Sequence, residues 1–182
     1  IPNYSKKEDW NKYNALGVTQ YGQMTAGSFM YIGPQGIVHG TTITLLNAGR
    51  KLGLGSGDLA GSIFITSGLG GMSGAQAKAA VITGSVGVLA EVDLKTVEQR
   101  IVDGYILREN VYTDLNELII RMEECRRAQK GIALIYAGNI VDLLEKVVEQ
   151  NVKIELVSDQ TSLHNIDDLG YCPVGYTFEE AK

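Results

Sequence analysis

The sequence predicts an α/β fold with three layers, a mostly parallel β-sheet and helices on both of its faces. From residue 61 onward, short β-branched runs alternate with segments of helical periodicity, the pattern of repeated βαβ units. The strand-like runs are almost continuously apolar, which is typical of strands covered on both faces. With 182 residues, 45% of them hydrophobic, the chain is long enough to bury a substantial core.

The predicted elements follow one another in a regular order. Strands are predicted over residues 62–66, 86–90, 132–136 and 153–157. Helices are predicted over residues 74–83, 94–104, 113–129 and 139–150. The third helix carries an apolar stripe that we interpret as core, formed by Leu115, Leu118, Ile119 and Met122.

The rest of the chain is organised around this core. We interpret residues 1–182 as a single domain in which residues 1–20 form a polar lead-in helix. Residues 21–60 combine a glycine-rich loop, a strand over 28–32 and a helix over 37–52, and residues 61–176 form the nucleotide-binding core. Because the chain does not begin with Met, we expect it to be a segment of a longer protein.

Charge and composition exclude several classes of function. The formal net charge of −5 argues against a nucleic-acid partner, since a phosphate-binding surface needs an excess of lysine and arginine. No apolar run approaches the ~18 residues needed to span a bilayer, and no leader is recognisable, so we expect no membrane partner and a cytoplasmic protein. Cys125 and Cys172 are far apart in the chain, and we expect two free thiols.

Two histidines cannot form a histidine-rich metal site, and we predict no bound metal. His39 lies in a helical pattern and is interpreted as packed or solvated rather than catalytic. No GxSxG or HExxH motif occurs, so hydrolase chemistry has no support.

A glycine-rich motif follows the first strand of the βαβ region. Gly68-x-Gly70-x-x-Ser73 stands between that strand and the next helix, and it matches the dinucleotide-binding fingerprint with serine at the third position. The glycines permit a sharp turn and let backbone N–H groups approach a pyrophosphate at the helix N-terminus. Ser73 is small enough to keep the helix close to the sheet. The motif alone leaves both a nucleotide site and a purely structural turn open.

An acidic residue at the end of the next strand strengthens the nucleotide hypothesis. Glu91 lies 21 residues after Gly70, where a carboxylate accepts hydrogen bonds from the adenosine ribose of NAD. It would repel the 2′-phosphate of NADP. The alternative is a solvated carboxylate at a strand end. Together the motif and Glu91 predict a Rossmann-like domain that binds NAD.

Polar loops follow the later strands, where ligands of open α/β sheets bind. Residues 137–139 follow the third strand and residues 158–164 follow the fourth. Gln160, Thr161, Ser162 and His164 supply donors and acceptors, although a cluster of turn and N-cap residues is the alternative. Cys172 is expected near the crevice and is not interpreted as a nucleophile.

The sequence closely resembles the urocanase family from about Gly17 to Thr177. The most specific segments are Tyr21–Ser28, Tyr31–Ile37, Gly68–Gln76 and Asp159–His164. The resemblance implies the central, Rossmann-like NAD-binding domain of a longer hydratase of histidine degradation. In that family, NAD⁺ acts as an electrophile and water adds to urocanate to give imidazolonepropionate. The resemblance also implies a homodimer and a need for the remaining segments of the enzyme, so we expect the isolated segment to be inactive.

The resemblance assigns cofactor contacts to matching positions of this sequence. They are Gln23, Gly71, Met72, Ser73, Glu91, Asn139, Ile140, Gln160, Thr161, Ser162, Leu163, His164, Tyr171 and Cys172, and the glycine motif itself adds Gly68 and Gly70. Gln23 and Thr25 are the candidates to face nicotinamide and substrate, and the other catalytic residues are unknown. Thr96 stands where relatives often have arginine, which puts one phosphate or ribose contact in question.

Three other functions share parts of this pattern. An NAD-dependent dehydrogenase would reduce the nicotinamide, and a methyltransferase would use the same glycine turn and acid for S-adenosylmethionine. A non-enzymatic nucleotide-sensing module is the third alternative.

Overall fold

The computed structural model describes residues 6–18, 34–54, 57–71, 73–159 and 172–181. The chain divides into two compact units, Ile1–Gly33 and Pro34–Lys182. The first unit contains helix α1 (Lys7–Ala15), within the predicted lead-in segment. The backbone N–H of Lys6 donates to Asp9 at 3.1 Å, which caps the start of this helix. The strand predicted over 28–32 lies outside the described residues.

The second unit contains a five-stranded sheet in which every pairing is parallel, which confirms the predicted fold class. The strands, in chain order, are β1 (Ile63–Ser67), β2 (Val86–Glu91), β3 (Val111–Tyr112), β4 (Ile132–Ala137) and β5 (Leu156–Val157). Their order across the sheet is β3-β4-β2-β1-β5.

Helices cover both faces of this sheet. The helices of this unit are α2 (Pro34–Leu52), α3 (Ala75–Ile82), α4 (Leu94–Val102), α5 (Leu115–Arg127), α6 (Ile140–Glu149) and α7 (Phe178–Ala181), with a 3₁₀ turn at Arg108–Asn110. On one face, α5 and α6 pack against Ile63, Ile65 and their neighbours. On the other, α3 and α4 pack against Leu89 and Ile135, and α2 packs on α3.

Polar caps explain why three of the helices begin close to their predicted starts. The side chain of Asp93 accepts from Lys95 N–H at 2.9 Å, and that of Asp114 accepts from Asn116 N–H at 2.7 Å. Each cap satisfies a donor that the first helical turn leaves free. Asn139 caps α6 in the same way (see below), and the predicted apolar stripe of α5 is confirmed as core.

The sheet differs from prediction at its two edges. The strand predicted over 153–157 is wrong for its first three residues, and only Leu156–Val157 forms β5. Just before β5, the contact with β1 is made by a side chain and not by strand pairing: the Glu155 carboxylate accepts from Ile63 N–H at 2.8 Å. Strand β3 was not predicted. It pairs with β4 through Val111 and Tyr112, and two residues are too few to show the alternation of apolar and polar side chains that marks a strand in a sequence.

Helix α3 lies close to the sheet because small residues face each other across the contact. A Cβ built on Gly87 of β2 would overlap the Cβ of Ala80 in α3. A Cβ on Gly131, just before β4, would lie 2.9 Å from Gly84 Cα and 3.1 Å from Val81 O. These glycines therefore set the depth at which α3 and the turn after it rest on the strands.

No described helix combines the length and apolarity needed to cross a membrane. Within the described ranges, no three or more His, Cys, Asp or Glu side chains come together where they could hold a metal ion.

Replacing Gly87 with alanine is expected to lower the free energy of unfolding by about 1–3 kcal/mol, because its methyl group would overlap Ala80 in a filled core. Urea unfolding followed by circular dichroism measures this loss. Gly40→Ala in α2 is the matched control, since its new Cβ would have no described atom within 4 Å. That variant should equal or exceed the wild type, by up to about 1 kcal/mol. Equal stability of Gly87→Ala and the wild type would contradict the close packing.

Candidate functional site

The strand order creates a topological switch point beside β1. From β1 the chain adds β2, β3 and β4 on one side, and then returns to place β5 on the other side. In open α/β sheets, ligands bind outside the carboxyl ends of the strands at such a point. Here that edge is formed by the residues that end β1, β2, β4 and β5.

The predicted glycine turn leaves β1 at this edge. Gly68 has φ of +85°, a conformation that favours glycine, and its N–H donates to Ala90 O of β2 at 2.7 Å. A Cβ on Gly70 would have one described atom within 4 Å, Ser73 Oγ at 3.8 Å. Among the described residues, nothing therefore requires a glycine at position 70, and none of them fills the space beside it. Gly71 is exposed.

Ser73, at the third position of the fingerprint, does not provide the close approach that was predicted for it. Ser73 is buried, and its hydroxyl oxygen accepts from Gly70 N–H at 3.1 Å. The close approach belongs to the next residue, because a Cβ on Gly74 would lie 2.8 Å from Gly70 O and 3.0 Å from Leu69 O. Helix α3 starts directly afterwards, so the positive end of its dipole faces the turn.

Glu91 is attached to the glycine turn and is not a freely solvated strand end. Its Oε2 accepts from Leu69 N–H at 2.7 Å, and its Oε1 accepts from Asp93 N–H at 2.9 Å. Each carboxylate oxygen has two lone pairs, so each can also accept a ligand hydroxyl. Burial raises the pKa of the Glu91 carboxyl above its ordinary value, and the N–H groups of Asp93 and Leu69 partly offset this by stabilising the carboxylate.

A network of neutral polar side chains crosses from β1 to β5 at the switch point. Gln76 Oε1 accepts from the hydroxyl of Thr66 at 2.9 Å and lies 3.2 Å from the hydroxyl of Ser158, which can donate to it. The Ser67 hydroxyl donates to the Asp159 carboxylate. Gln76 was not among the predicted site residues, and the available signal was a lone amide in an alanine-rich helix.

Asn139 connects the end of β4 to the C-terminal segment. Its Oδ1 accepts from Val141 N–H at 3.0 Å as the N-cap of α6, and its Nδ2 donates to the backbone carbonyl of Cys172 at 2.9 Å. This contact brings Cys172 to the carboxyl edge through its main chain, near Ile140, which opens α6. The Cys172 thiol donates to Tyr176 O at 3.4 Å.

The structure thus brings together Ser73, Glu91, Asn139, Ile140 and Cys172 with the glycines at positions 68, 70 and 71 along one edge of the sheet. Both cysteines are free, and Cys125 is buried in the core. His39 is exposed on α2. The other predicted site residues lie outside the described part of the chain: Gln23, Thr25, Met72, Gln160, Thr161, Ser162, Leu163, His164 and Tyr171.

The raised pKa of Glu91 predicts how stability depends on pH. The folded protein binds this proton more tightly than the unfolded chain, so protonated Glu91 favours folding and its contribution is lost as the pH rises through the raised pKa. Compared with Glu91→Gln, which does not titrate, the wild type should lose unfolding free energy as the pH rises above about 4.3. The loss is about 1.4 kcal/mol for each pH unit that separates the folded and unfolded pKa values.

Urea unfolding of both proteins at several pH values from about 4 to 8 measures this difference. A difference that stays constant, or that grows in favour of the wild type with rising pH, would contradict the burial of Glu91.

Comparison with known proteins places this geometry in a family. Residues 33–182 match the sequence model described as "Urocanase Rossmann-like domain", and residues 1–30 match "Urocanase N-terminal domain". The chain is 56% identical to "Probable urocanate hydratase" of Caenorhabditis elegans and 55% identical to the protein of the same name from Dictyostelium discoideum. It is 52% identical to "Urocanate hydratase" of Mus musculus.

Each of these matches covers 100% of this chain and 27% of the relative, so the chain spans about a quarter of the length of the curated relatives it matches. The Rossmann-like match extends over most of the chain and includes the whole carboxyl edge described above. This chain therefore belongs to the urocanase family.

Proposed function

We propose that this chain is the NAD⁺-binding domain of a urocanate hydratase. In this proposal the complete enzyme adds water to urocanate to give imidazolonepropionate, and NAD⁺ acts as an electrophile. The observation that carries the cofactor proposal is the 2.7 Å hydrogen bond from Leu69 N–H to Glu91, which holds the phosphate turn and the ribose acid as one unit. The family membership and the names of the relatives support the substrate.

The described residues fit a dinucleotide. The open space beside Gly70 and the exposed Gly71 can admit a pyrophosphate to the N-terminus of α3, where the helix dipole favours an anion. At the end of β2, the Glu91 carboxylate can accept the two hydroxyls of an adenosine ribose in addition to its backbone donors.

The surroundings of Glu91 favour NAD over NADP. A 2′-phosphate would lie against a carboxylate whose nearest residues include the further acid Asp93. Thr96, at the position where the family resemblance leads us to expect arginine, donates its hydroxyl to Asp93 at 2.9 Å and so completes the cap of α4. Lys95 points into solvent, with its side chain 87% exposed.

We assign the remaining walls by the resemblance. Asn139, Ile140, Tyr171 and Cys172 would flank the cofactor together with the loop Gln160–His164, while Gln23 and Thr25 would face the nicotinamide and urocanate. The complete enzyme would be a cytoplasmic homodimer, and its other segments would carry the remaining catalytic groups.

When bound, NAD⁺ supplies a cationic nicotinamide that draws electron density from the conjugated substrate. The residues of this chain would position the cofactor. The turn holds the pyrophosphate and Glu91 the ribose, so that the two rings meet in one orientation. Proton transfer to and from the substrate would use groups outside the described residues.

Calorimetric titration of the chain should show binding of NAD⁺, with much weaker binding of NADP⁺ and S-adenosylmethionine. Glu91→Ala should weaken NAD⁺ binding by about tenfold or more, because two charge-assisted hydrogen bonds are lost. Glu98→Ala is the matched control, since it removes the same charge from an exposed residue of α4 that pairs with Arg108. Preference for S-adenosylmethionine, or equal effects of the two variants, would contradict the proposed site.

A chimera tests the reaction itself. This chain would replace the aligned segment of the C. elegans relative, to which it is 56% identical, and consumption of urocanate would be followed by its ultraviolet absorbance. The chimera should consume urocanate without producing reduced nicotinamide. Gly70→Ala should lower its affinity for NAD⁺ by about tenfold or more while leaving its melting temperature nearly unchanged, because the fold leaves room for the methyl group. Growth of reduced nicotinamide absorbance would favour a dehydrogenase.

A further inference from the structure

Strand β5 forms one side of the switch point although its backbone ladder is minimal. Its two residues pair with Phe64 and Ile65 of β1, and the N–H of Ser158 donates to Ile65 O at 2.9 Å. A two-residue strand at the edge of a sheet has little pairing to fix its position. Side chains must therefore contribute to holding its carboxyl end.

The amino end of β5 is held by an ion-pair cluster. The Glu155 carboxylate accepts from Ile63 N–H at 2.8 Å and from the Arg126 guanidinium at 3.0 Å, and its side chain is only 9% exposed. This contact fixes where the strand begins. It leaves the carboxyl end, where Ser158 and Asp159 meet the crevice, to other groups.

Gln76 supplies the corresponding contact at the carboxyl end. It extends from α3 to β1 and β5 at once: its Oε1 lies within hydrogen-bond distance of the hydroxyls of Thr66 and Ser158, and these two hydroxyls are 3.1 Å apart. Its Nε2 is 3.5 Å from the backbone carbonyl of Ser67. Gln76 is 4% exposed and Thr66 is fully buried.

Packing alone does not explain an amide at this position. The neighbours of Gln76 in α3 are buried alanines, and burying an amide costs free energy unless its polar atoms find partners. Every hydrogen-bond partner of the Gln76 side chain among the described residues lies on β1 or directly after β5. An apolar side chain of similar length would fill the same volume without this cost.

We infer that Gln76 is a positioning residue that holds the carboxyl ends of β1 and β5 together, and so sets the width of the nucleotide crevice. This inference rests on the proposed function for its ligand. Its geometric part, the attachment of β5 through Ser158, can be measured without any nucleotide.

The test compares Gln76→Met, which keeps the length of the side chain and removes the amide, with the wild-type chain. Hydrogen exchange of the Ser158 amide, followed by NMR, should accelerate by about tenfold, while amides of β2 and β4 keep their protection. The dissociation constant for NAD⁺, measured by calorimetry, should rise by about tenfold. Ser158→Ala should have a smaller additional effect in Gln76→Met than in the wild type, because the two side chains act as one unit.

A matched pair of threonine variants separates positioning from general stability. Thr66→Val removes a buried hydroxyl from the switch point, whereas Thr83→Val removes one that donates to Ala80 O at 2.9 Å at the opposite edge of the sheet. Both should lower the melting temperature, and Thr66→Val alone should weaken NAD⁺ binding. Equal effects of the two variants on NAD⁺ binding would overturn the inference.

The exchange measurement distinguishes this inference from the proposed function. If the wild-type chain binds no nucleotide, the proposed function fails for this chain, and Ser158 exchange still decides whether Gln76 holds β5. Unchanged exchange at Ser158 in Gln76→Met, or acceleration spread evenly over all strands, would overturn the positioning role.

Discussion

Close packing of helix α3 against β2, the central strand of the sheet, constrains where the elements of the candidate site lie. At Gly87 no side chain of β2 stands between that strand and Ala80 of α3, and at Gly131 none separates the start of β4 from the end of α3. Gly74 lets the start of α3 approach the carbonyls of Leu69 and Gly70 in the glycine turn. Close packing of this kind admits no extra methylene without strain. The contact at Gly74 joins the N-terminus of α3 to the glycine turn, and α2 packs on α3.

The two edges of the sheet satisfy their buried polar groups by different means. At the amino edge, an ion-pair cluster around Glu155 and Arg126 closes the start of β5. At the carboxyl edge, the Glu91 carboxylate binds backbone N–H groups, and Gln76 binds hydroxyls. Backbone and hydroxyl donors hold the strand ends together and leave capacity to accept or donate further hydrogen bonds. The amino edge is thus held by charged groups, and the described part of the carboxyl edge by backbone and hydroxyl donors.

The site is a set of links between neighbouring strand ends. Glu91 ties β2 to the turn after β1, Gln76 ties α3 to β1 and β5, and Asn139 ties β4 to the segment at Cys172. A dinucleotide lying across the switch point would touch groups whose positions are set by these links. In the proposed function, these links would fix the position of the cofactor that the sheet carries.

The parallel α/β fold, the glycine turn and the acid at the end of β2 could all be predicted from residue order. These features depend on local periodicity and on spacings within a single βαβ unit, and both can be recognised in the sequence. The helix starts were predictable for the same reason, because their capping side chains lie next to the groups they cap.

Contacts between residues that are distant in the chain could not be predicted and are seen in the folded structure alone. Ser158 is 82 residues from Gln76 and 92 from Thr66, and no local pattern predicts that their side chains join. The same holds for Asn139 and Cys172, which are 33 residues apart. The attachment of Glu91 to the turn, the close approach at Gly74 and the shortness of β5 also follow from packing. Such contacts depend on the depth and register at which whole elements pack, and the order of residues along one element does not contain that information.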